Sequence, residues 1–316
     1  MTIDDSRLEA LRKQLDEIDD ELLQLVRWRQ ELVAEIGRVK KSAGRGTRDY
    51  SRERVVIERA RQLAEELGVS PDLAARLMRL LIESSLTAQE QDRLALSKRG
   101  RGKRALVIGG AGQMGGWFVR FLDAQGYAVS VADPAVEEES ADARSDWREF
   151  ELSDFDLVVV SAPMKASNTV MSEMAAEAPD TVVFDVSSLK EPVRTGLDAL
   201  SRAGVSVASI HPMFGPDTEL LSERHVVVCP VGSRQAAAVA RGLFDDTMAS
   251  IVEMDIEEHD RAMSFVLGLS HAVNIAFSDA LVHSGERADR LHEVSSTTFA
   301  NQLAVASGVV HENPGL

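Results

Sequence analysis

The sequence predicts an all-helical N-terminal domain of three helices, then an α/β doubly wound domain of Rossmann type, then a short all-helical C-terminal domain. Three observations predict this order. Apolar residues recur at three-four spacing from Leu8 to Val39, a basic aperiodic stretch interrupts the chain at Ser97–Arg104, and a strand, glycine turn, helix, strand and acid follow from Ala105 to Asp133. The implied boundaries are 1–96 for the helical domain, 97–104 for a linker, 105–250 for the nucleotide-binding domain and 251–316 for the last helices.

Leu8, Leu11, Leu15, Ile18, Leu22, Leu25, Leu32, Ile36 and Val39 form the seam of one long amphipathic helix, and Arg29 sits on that seam. A guanidinium keeps its proton, so on a buried stripe it needs an anion, either a carboxylate of the protein or a ligand. A snorkelling arginine at the helix flank is the plain alternative. Lys40 lies three turns on, nearly on the same face. The segment Arg48–Arg54 opens a second helix reaching about Leu67, with Asp49, Arg52 and Glu53 on one face. Ser70 and Pro71 supply an N-cap and a first helical residue for a third helix, whose apolar run is broken by Ser85 and Gln89 at i,i+4. Singly, each is an ordinary cap, surface pair or polar notch. Together with Arg29 and Lys40 they describe a cationic pocket rimmed by donors, suited to a small dicarboxylate.

On these residues, positions 7 to 92 resemble the all-helical chorismate mutase family, whose pattern is matched by Arg12, Arg29, Lys40, Asp49, Arg52, Glu53, Ser85 and Gln89. The resemblance implies rearrangement of chorismate to prephenate, which needs neither base nor nucleophile, so catalysis rests on holding the reactive conformer and stabilising charge in the breaking ether. It implies Arg12, Arg29 and Arg52 on the two carboxylates, Lys40 and Gln89 at the ether oxygen, and Glu53 at the ring hydroxyl. Arg12 and Arg29 are seventeen residues apart, roughly 25 Å on a straight helix, too far for one small ligand. One of them must come from a second copy, so an interlocked homodimer is expected.

Ser97–Arg104 carries no aromatics and the chain is acidic, with 35 Lys and Arg against 51 Asp and Glu, so a nucleic-acid partner is not expected. Beyond it, Ala105–Ile108 is an apolar strand, Gly110-Ala111-Gly112-Gln113-Met114-Gly115 fits G-x-G-x-x-G, Trp117–Gln125 is helical, and Ala128–Ala132 leads into Asp133. In that context the glycines admit a pyrophosphate at a helix N-terminus and the acid takes ribose hydroxyls. Asp133 is followed by Pro134, not by a base, which favours NAD over NADP. A purely structural glycine turn is the alternative.

Further apolar strands end in functional groups: Leu157–Val160 before Ser161, Val182–Phe184 before Asp185 to Lys190, and Val205–Ile210 before His211-Pro212-Met213-Phe214-Gly215-Pro216. Strand ends are where such sheets bind ligands. A histidine capping a strand is the bland reading of His211. The H-P-M-F-G-P and D-x-x-S-x-K segments resemble prephenate dehydrogenase, and mutase before dehydrogenase resembles the bifunctional enzymes of tyrosine biosynthesis. The resemblance implies that His211 hydrogen-bonds or deprotonates the ring hydroxyl of prephenate as hydride leaves C4 for NAD, driving decarboxylation to 4-hydroxyphenylpyruvate. It implies that Ser188 orients that hydroxyl or His211, and that His271, in the Leu269-Ser270-His271 segment after His259-Asp260, lies near the substrate. The dehydrogenase rate should then fall as pH drops through the histidine range.

Two departures stand against the second half. Ala300 follows Phe299 where the family commonly has a carboxylate-binding arginine, leaving Arg287, Arg290 or Asn301 to compensate, and the chain stops at Leu316 where relatives continue, so the last domain reads as truncated. A mutase with an impaired or scaffolding dehydrogenase half, or a dehydrogenase regulated by a non-catalytic sensing domain, are the other readings. The single Cys229 excludes an internal disulfide, no cluster has metal-ligand spacing, and neither a signal peptide nor an apolar run long enough to span a membrane is read. A cytoplasmic enzyme is expected. Its net charge of −16 would repel dianionic chorismate, so binding depends on the local cationic cluster.

Overall fold

The computed structural model describes residues 3–42 and 48–312; Asn313 to Leu316, the expected early stop, lie outside them. Three helices come first: α1 (Ile3–Ser42), α2 (Tyr50–Leu67) and α3 (Pro71–Ser97). The Ser70 cap read from the sequence is formed, and the structure adds one at Asp49. Asp49 accepts the Arg52 N–H at the start of α2, and Ser70 accepts from Leu73 at the start of α3, with Pro71 at the first helical position. Gly68 ends α2 at φ 68, a left-handed C-cap that a side chain would strain. The seam of α1 differs from expectation. Its nine apolar side chains are between 46% and 62% exposed, because α1 touches α3 only over its C-terminal half and a single chain offers nothing to cover the rest.

The second unit runs β1 (Arg104–Ile108), α4 (Gln113–Ala124), β2 (Ala128–Ala132), β3 (Ala143–Arg144), β4 (Leu157–Val160), α5 (Met164–Glu177), β5 (Val182–Asp185), α6 (Arg194–Arg202), β6 (Ser206–Pro212), β7 (His225–Val231), α7 (Arg234–Leu243) and β8 (Ser250–Glu253). These strands form one sheet in the order β3-β2-β1-β4-β5-β6-β7-β8, parallel throughout except for the antiparallel pair β6 and β7. The order reverses between β1 and β4, where a doubly wound sheet opens its ligand crevice. Fully buried apolar runs such as Leu157–Val160 fit strands covered on both faces. Trp117, Phe118, Phe121 and Phe244 pack one face; Phe155, Met171, Met174 and Leu197 pack the other. Leu94 of α3 joins the first cluster, docking the helical unit on the sheet.

The C-terminal region comprises α8 (Ile256–Met263), a π-helical turn Ser264–Leu269, α9 (Ser270–His283), α10 (Ala288–Glu293) and α11 (Thr297–Glu312). The stretch Ile256–His283 corrects one sequence expectation. It is a continuous 28-residue helical run, long and apolar enough by length and composition to cross a membrane; isolated polar residues such as Ser264, Ser270, His271 and Asn274 break the run without making it polar. Phe265, Val266, Leu269, Val273 and Ile275 on it are exposed.

Candidate active sites

One cavity of about 550 Å³ lies between α1, α2 and α3 and is lined by Arg29, Lys40, Asp49, Arg52, Glu53, Ser85 and Gln89. Seven of the eight sequence-predicted residues thus meet in one place. Arg12 is exposed on the far part of α1 and does not line it. Arg29 donates from Nη1 to the Leu81 carbonyl at 2.9 Å and to Ser85 Oγ at 2.6 Å, while Ser85 Oγ donates to Leu81 O at 2.6 Å. Among the described residues no carboxylate pairs with Arg29, and burial pulls its pKa below the ordinary arginine value. The charge on the seam is oriented but not neutralised, which is the state of a group that awaits an anion.

Gln89 donates to the Val33 carbonyl at 3.1 Å, and its Oε1 is buried without a partner. Asp49 caps α2, and its hydrogen bonds from Ser51 and the Arg52 N–H hold its pKa below the ordinary carboxylate value. Glu53 is gripped by both arms of Arg48, at 2.9 and 3.0 Å. Arg59, seven residues after Arg52 and so two turns along the same face, also lines the cavity; the sequence reading missed it, and that spacing was the available signal.

In the sheet domain, Gly112 is the N-cap of α4 and offers no side chain, so the first-turn N–H groups at Gln113, Met114 and Gly115 face outward for an anion. A Cβ on Gly115 would lie 2.0 Å from the Gly109 carbonyl oxygen, so only glycine lets helix and strand approach this closely. Gly109 itself turns at φ 84 beside the Ser161 carbonyl, which would meet a Cβ at 2.6 Å. Asp133, at the end of β2, accepts the Ala111 N–H at 3.2 Å and the Ala135 N–H at 2.9 Å. The turn around Gly110, the acid and Ser161 at the end of β4 therefore surround the switch point, and the chain fits a dinucleotide there.

His211 lies within β6, which continues through Pro212, rather than just past the strand end, because β7 pairs with it at Val227. Its Nδ1 is 2.9 Å from His259 Nε2, and His259 Nδ1 is 2.7 Å from Asp260 Oδ1. Asp260 also accepts the backbone N–H groups of Lys190 and Glu191, at 3.0 and 2.8 Å. A carboxylate only accepts, so His259 carries its proton on Nδ1 and presents a bare Nε2; His211 then donates from Nδ1 and keeps a lone pair on Nε2. The sequence reading placed His259-Asp260 in the chain but missed this role, since 48 residues separate the two imidazoles.

Burial, with smaller contributions from Lys190 and His259, pushes His211 down to about 3. His259 is lowered too, by burial against an opposing hydrogen bond to Asp260. Burial thus favours the neutral imidazole across the ordinary histidine range.

Ser188 makes no side-chain hydrogen bond to His211. The Asp185 and Lys190 of its segment turn inward instead: the fully buried Lys190 ammonium donates to Ser187 O and Ile210 O at 2.5 and 2.9 Å and pairs with Asp185 at 3.4 Å. Burial lowers the Lys190 pKa, against the pull of Asp185. This ion pair joins β5 to β6 and sets the floor under His211.

His271 bonds from Nδ1 to the Leu267 carbonyl at 2.7 Å and lines a cavity of about 350 Å³ with Asp260, Leu189, Pro192 and the π-helical turn. Among the described residues no arginine lines that cavity. Arg287 is paired with Asp289, and Arg290 and Asn301 are exposed; none of these three expected substitutes for the missing arginine lines it. Among the described residues no His, Cys, Asp and Glu group could hold a metal ion.

Residues 11–90 match the family model of chorismate mutase type II, and residues 126–253 match that of the prephenate dehydrogenase nucleotide-binding domain. The chain is 31% identical over 314 residues to a T-protein of Enterobacter agglomerans, covering 98% of this chain and 80% of that one. It is 28% identical over 302 residues to a T-protein of Haemophilus influenzae, covering 94% and 76%. A prephenate dehydrogenase of A. aeolicus, solved in complex with hydroxyphenyl propionate and NAD+, shares the fold at TM-score 0.51 and 19% identity, over 67% of this chain and 83% of that one. Two catalytic units matched in order, within relatives aligned along nearly the whole length, make the chain a member of the T-protein family, the bifunctional chorismate mutases and prephenate dehydrogenases of tyrosine biosynthesis.

Proposed function

We propose that the cavity between α1, α2 and α3 rearranges chorismate and that the His211 site oxidises the resulting prephenate. The observation that carries this reading is the convergence of Arg29, Lys40, Asp49, Arg52, Glu53, Ser85 and Gln89 on one cavity. Arg29 and Arg52 bind carboxylates, Lys40 and a Gln89 N–H meet the ether oxygen as its charge develops, and Glu53 receives the ring hydroxyl. Asp49 and Ser85 hold Arg52 and Arg29 in place, through the cap of α2 and through Ser85 Oγ. Arg12 enters from a second copy, in a homodimer whose formation also covers the exposed seam of α1; the apolar face on Ile256–His283 supports a second contact between copies.

In the other half, the turn at Gly110, Gly112 and Gly115 with Gln113 and Met114 holds the pyrophosphate, Asp133 the ribose, and Ser161 borders the nicotinamide end. NAD, when bound there, is the two-electron acceptor. His211 Nε2 receives the O–H proton of prephenate as the C4 carbonyl forms, while the ring carboxylate departs as CO2 and leaves its bonding pair to the aromatic ring. His259, itself held by Asp260, accepts the hydrogen bond from His211 Nδ1 and so keeps Nε2 free as the proton acceptor. Ser188 and His271 border the substrate, and a cytoplasmic location suits the single unpaired Cys229. Two assays of the purified chain test the reading: loss of chorismate, and NADH formation from prephenate. Wild-type mutase rates in either Arg29→Ala or Lys40→Ala would overturn the first assignment.

A further inference from the structure

We propose that Arg48 is a positioning residue for the mutase reaction and that the dehydrogenase half fixes it through Ser222. The inference rests on the reading of Glu53 as the acceptor of the ring hydroxyl. Arg48 holds both oxygens of Glu53, and the two side chains are only 19% and 17% exposed. Its remaining arm, Nη1, donates to Ser222 Oγ at 2.6 Å and pairs with Glu223 at 3.2 Å. Ser222 is buried and belongs to the segment that follows His211–Pro216. One guanidinium thus joins a mutase carboxylate to a loop of the other domain, 174 residues away in sequence.

That loop is itself held in place. Glu90 of α3, 1% exposed, accepts the N–H of Leu221 at 2.7 Å with one oxygen and the N–H of Met248 with the other. Trp117 of α4 donates to the Thr218 carbonyl at 2.9 Å. Ser222 therefore presents its oxygen from a fixed backbone. A planar guanidinium grips a carboxylate bidentately only in one plane, and a third bond on the far arm selects that plane. Each Glu53 oxygen keeps a lone pair for the substrate, so the clamp orients the acceptor without consuming it.

The test uses the full chain and reads mutase kcat and KM. Ser222→Ala should lower mutase kcat/KM by about three- to tenfold, the scale of one net hydrogen bond, and Ser222→Thr should restore it. Arg48→Lys, which loses the fork, should cost about ten- to a hundredfold, and adding Ser222→Ala to it should cost nothing more. Ser222→Cys gives the same comparison should Ser222→Ala lower the melting temperature. Glu53→Gln separates the two layers of the argument. If Glu53→Gln is impaired while Ser222→Ala and Ser222→Cys have unchanged mutase constants, or if the Arg48 and Ser222 effects simply add, the domain linkage is refuted and the reading of Glu53 stands. If Glu53→Gln is itself unimpaired, the reading of Glu53 fails and the role of Arg48 with it.

Discussion

His211 Nδ1 lies 2.9 Å from His259 Nε2, so the imidazole proposed as the dehydrogenase base is oriented by a second imidazole rather than by the serine of its own neighbourhood. His259→Phe removes the acceptor and leaves a buried N–H unpaired. Dehydrogenase turnover should fall about ten- to a thousandfold with NAD binding retained and mutase rates unchanged. Near-normal NADH formation by this variant would mean that the imidazole pair only packs.

His211→Asn keeps a hydrogen-bonding side chain and loses the base, so turnover should drop by roughly two to four orders of magnitude. In the wild-type chain the rate should hold through pH 5 to 7, because burial keeps His211 neutral down to about 3. A rate that halves near pH 6.5 would contradict this placement of the imidazole.

Stability follows the same groups. The unfolded chain binds protons on both histidines near pH 6.5 and the folded chain does not, so stability is highest above that pH and declines as pH falls toward about 3. His211 contributes a slope of about 1.4 kcal/mol per pH unit within that window, and the lowered His259 adds to it in the same direction. Urea unfolding at several pH values should show the slope, and His211→Asn should make it shallower.

Arg12→Ala and Arg29→Ala chains should each be inactive as mutases. Mixed and allowed to exchange, they should recover about a quarter of the wild-type rate, since half the dimers are mixed and each mixed dimer has one intact site. Proven exchange of chains with no recovery would remove Arg12 from the site.

Ala300→Arg should restore a cation for the second substrate carboxylate and lower KM for prephenate by about tenfold, leaving mutase rates as they are. Unchanged KM would show that another group already serves that carboxylate.

The sequence by itself determined whatever depends on local periodicity and short-range chemistry. The three-four pattern with a cap at Ser70 defined the first three helices, and continuous apolar runs ending in Gly110 or Asp133 defined the nucleotide-binding strands, because each signal lies within a turn or two of its own residue. The spacing of Arg29, Lys40, Arg52, Ser85 and Gln89 was legible for the same reason, since residues on one helical face converge whatever the helix packs against. Only the tertiary structure decided which groups meet across long separations. It paired His211 with His259, seated Lys190 under β6, attached Arg48 to Ser222, and buried Glu90 against two backbone N–H groups of the other domain. None of these pairings has a period or a motif: each joins a polar group that burial forced to find a partner to whatever the packed chain brings within about 3 Å.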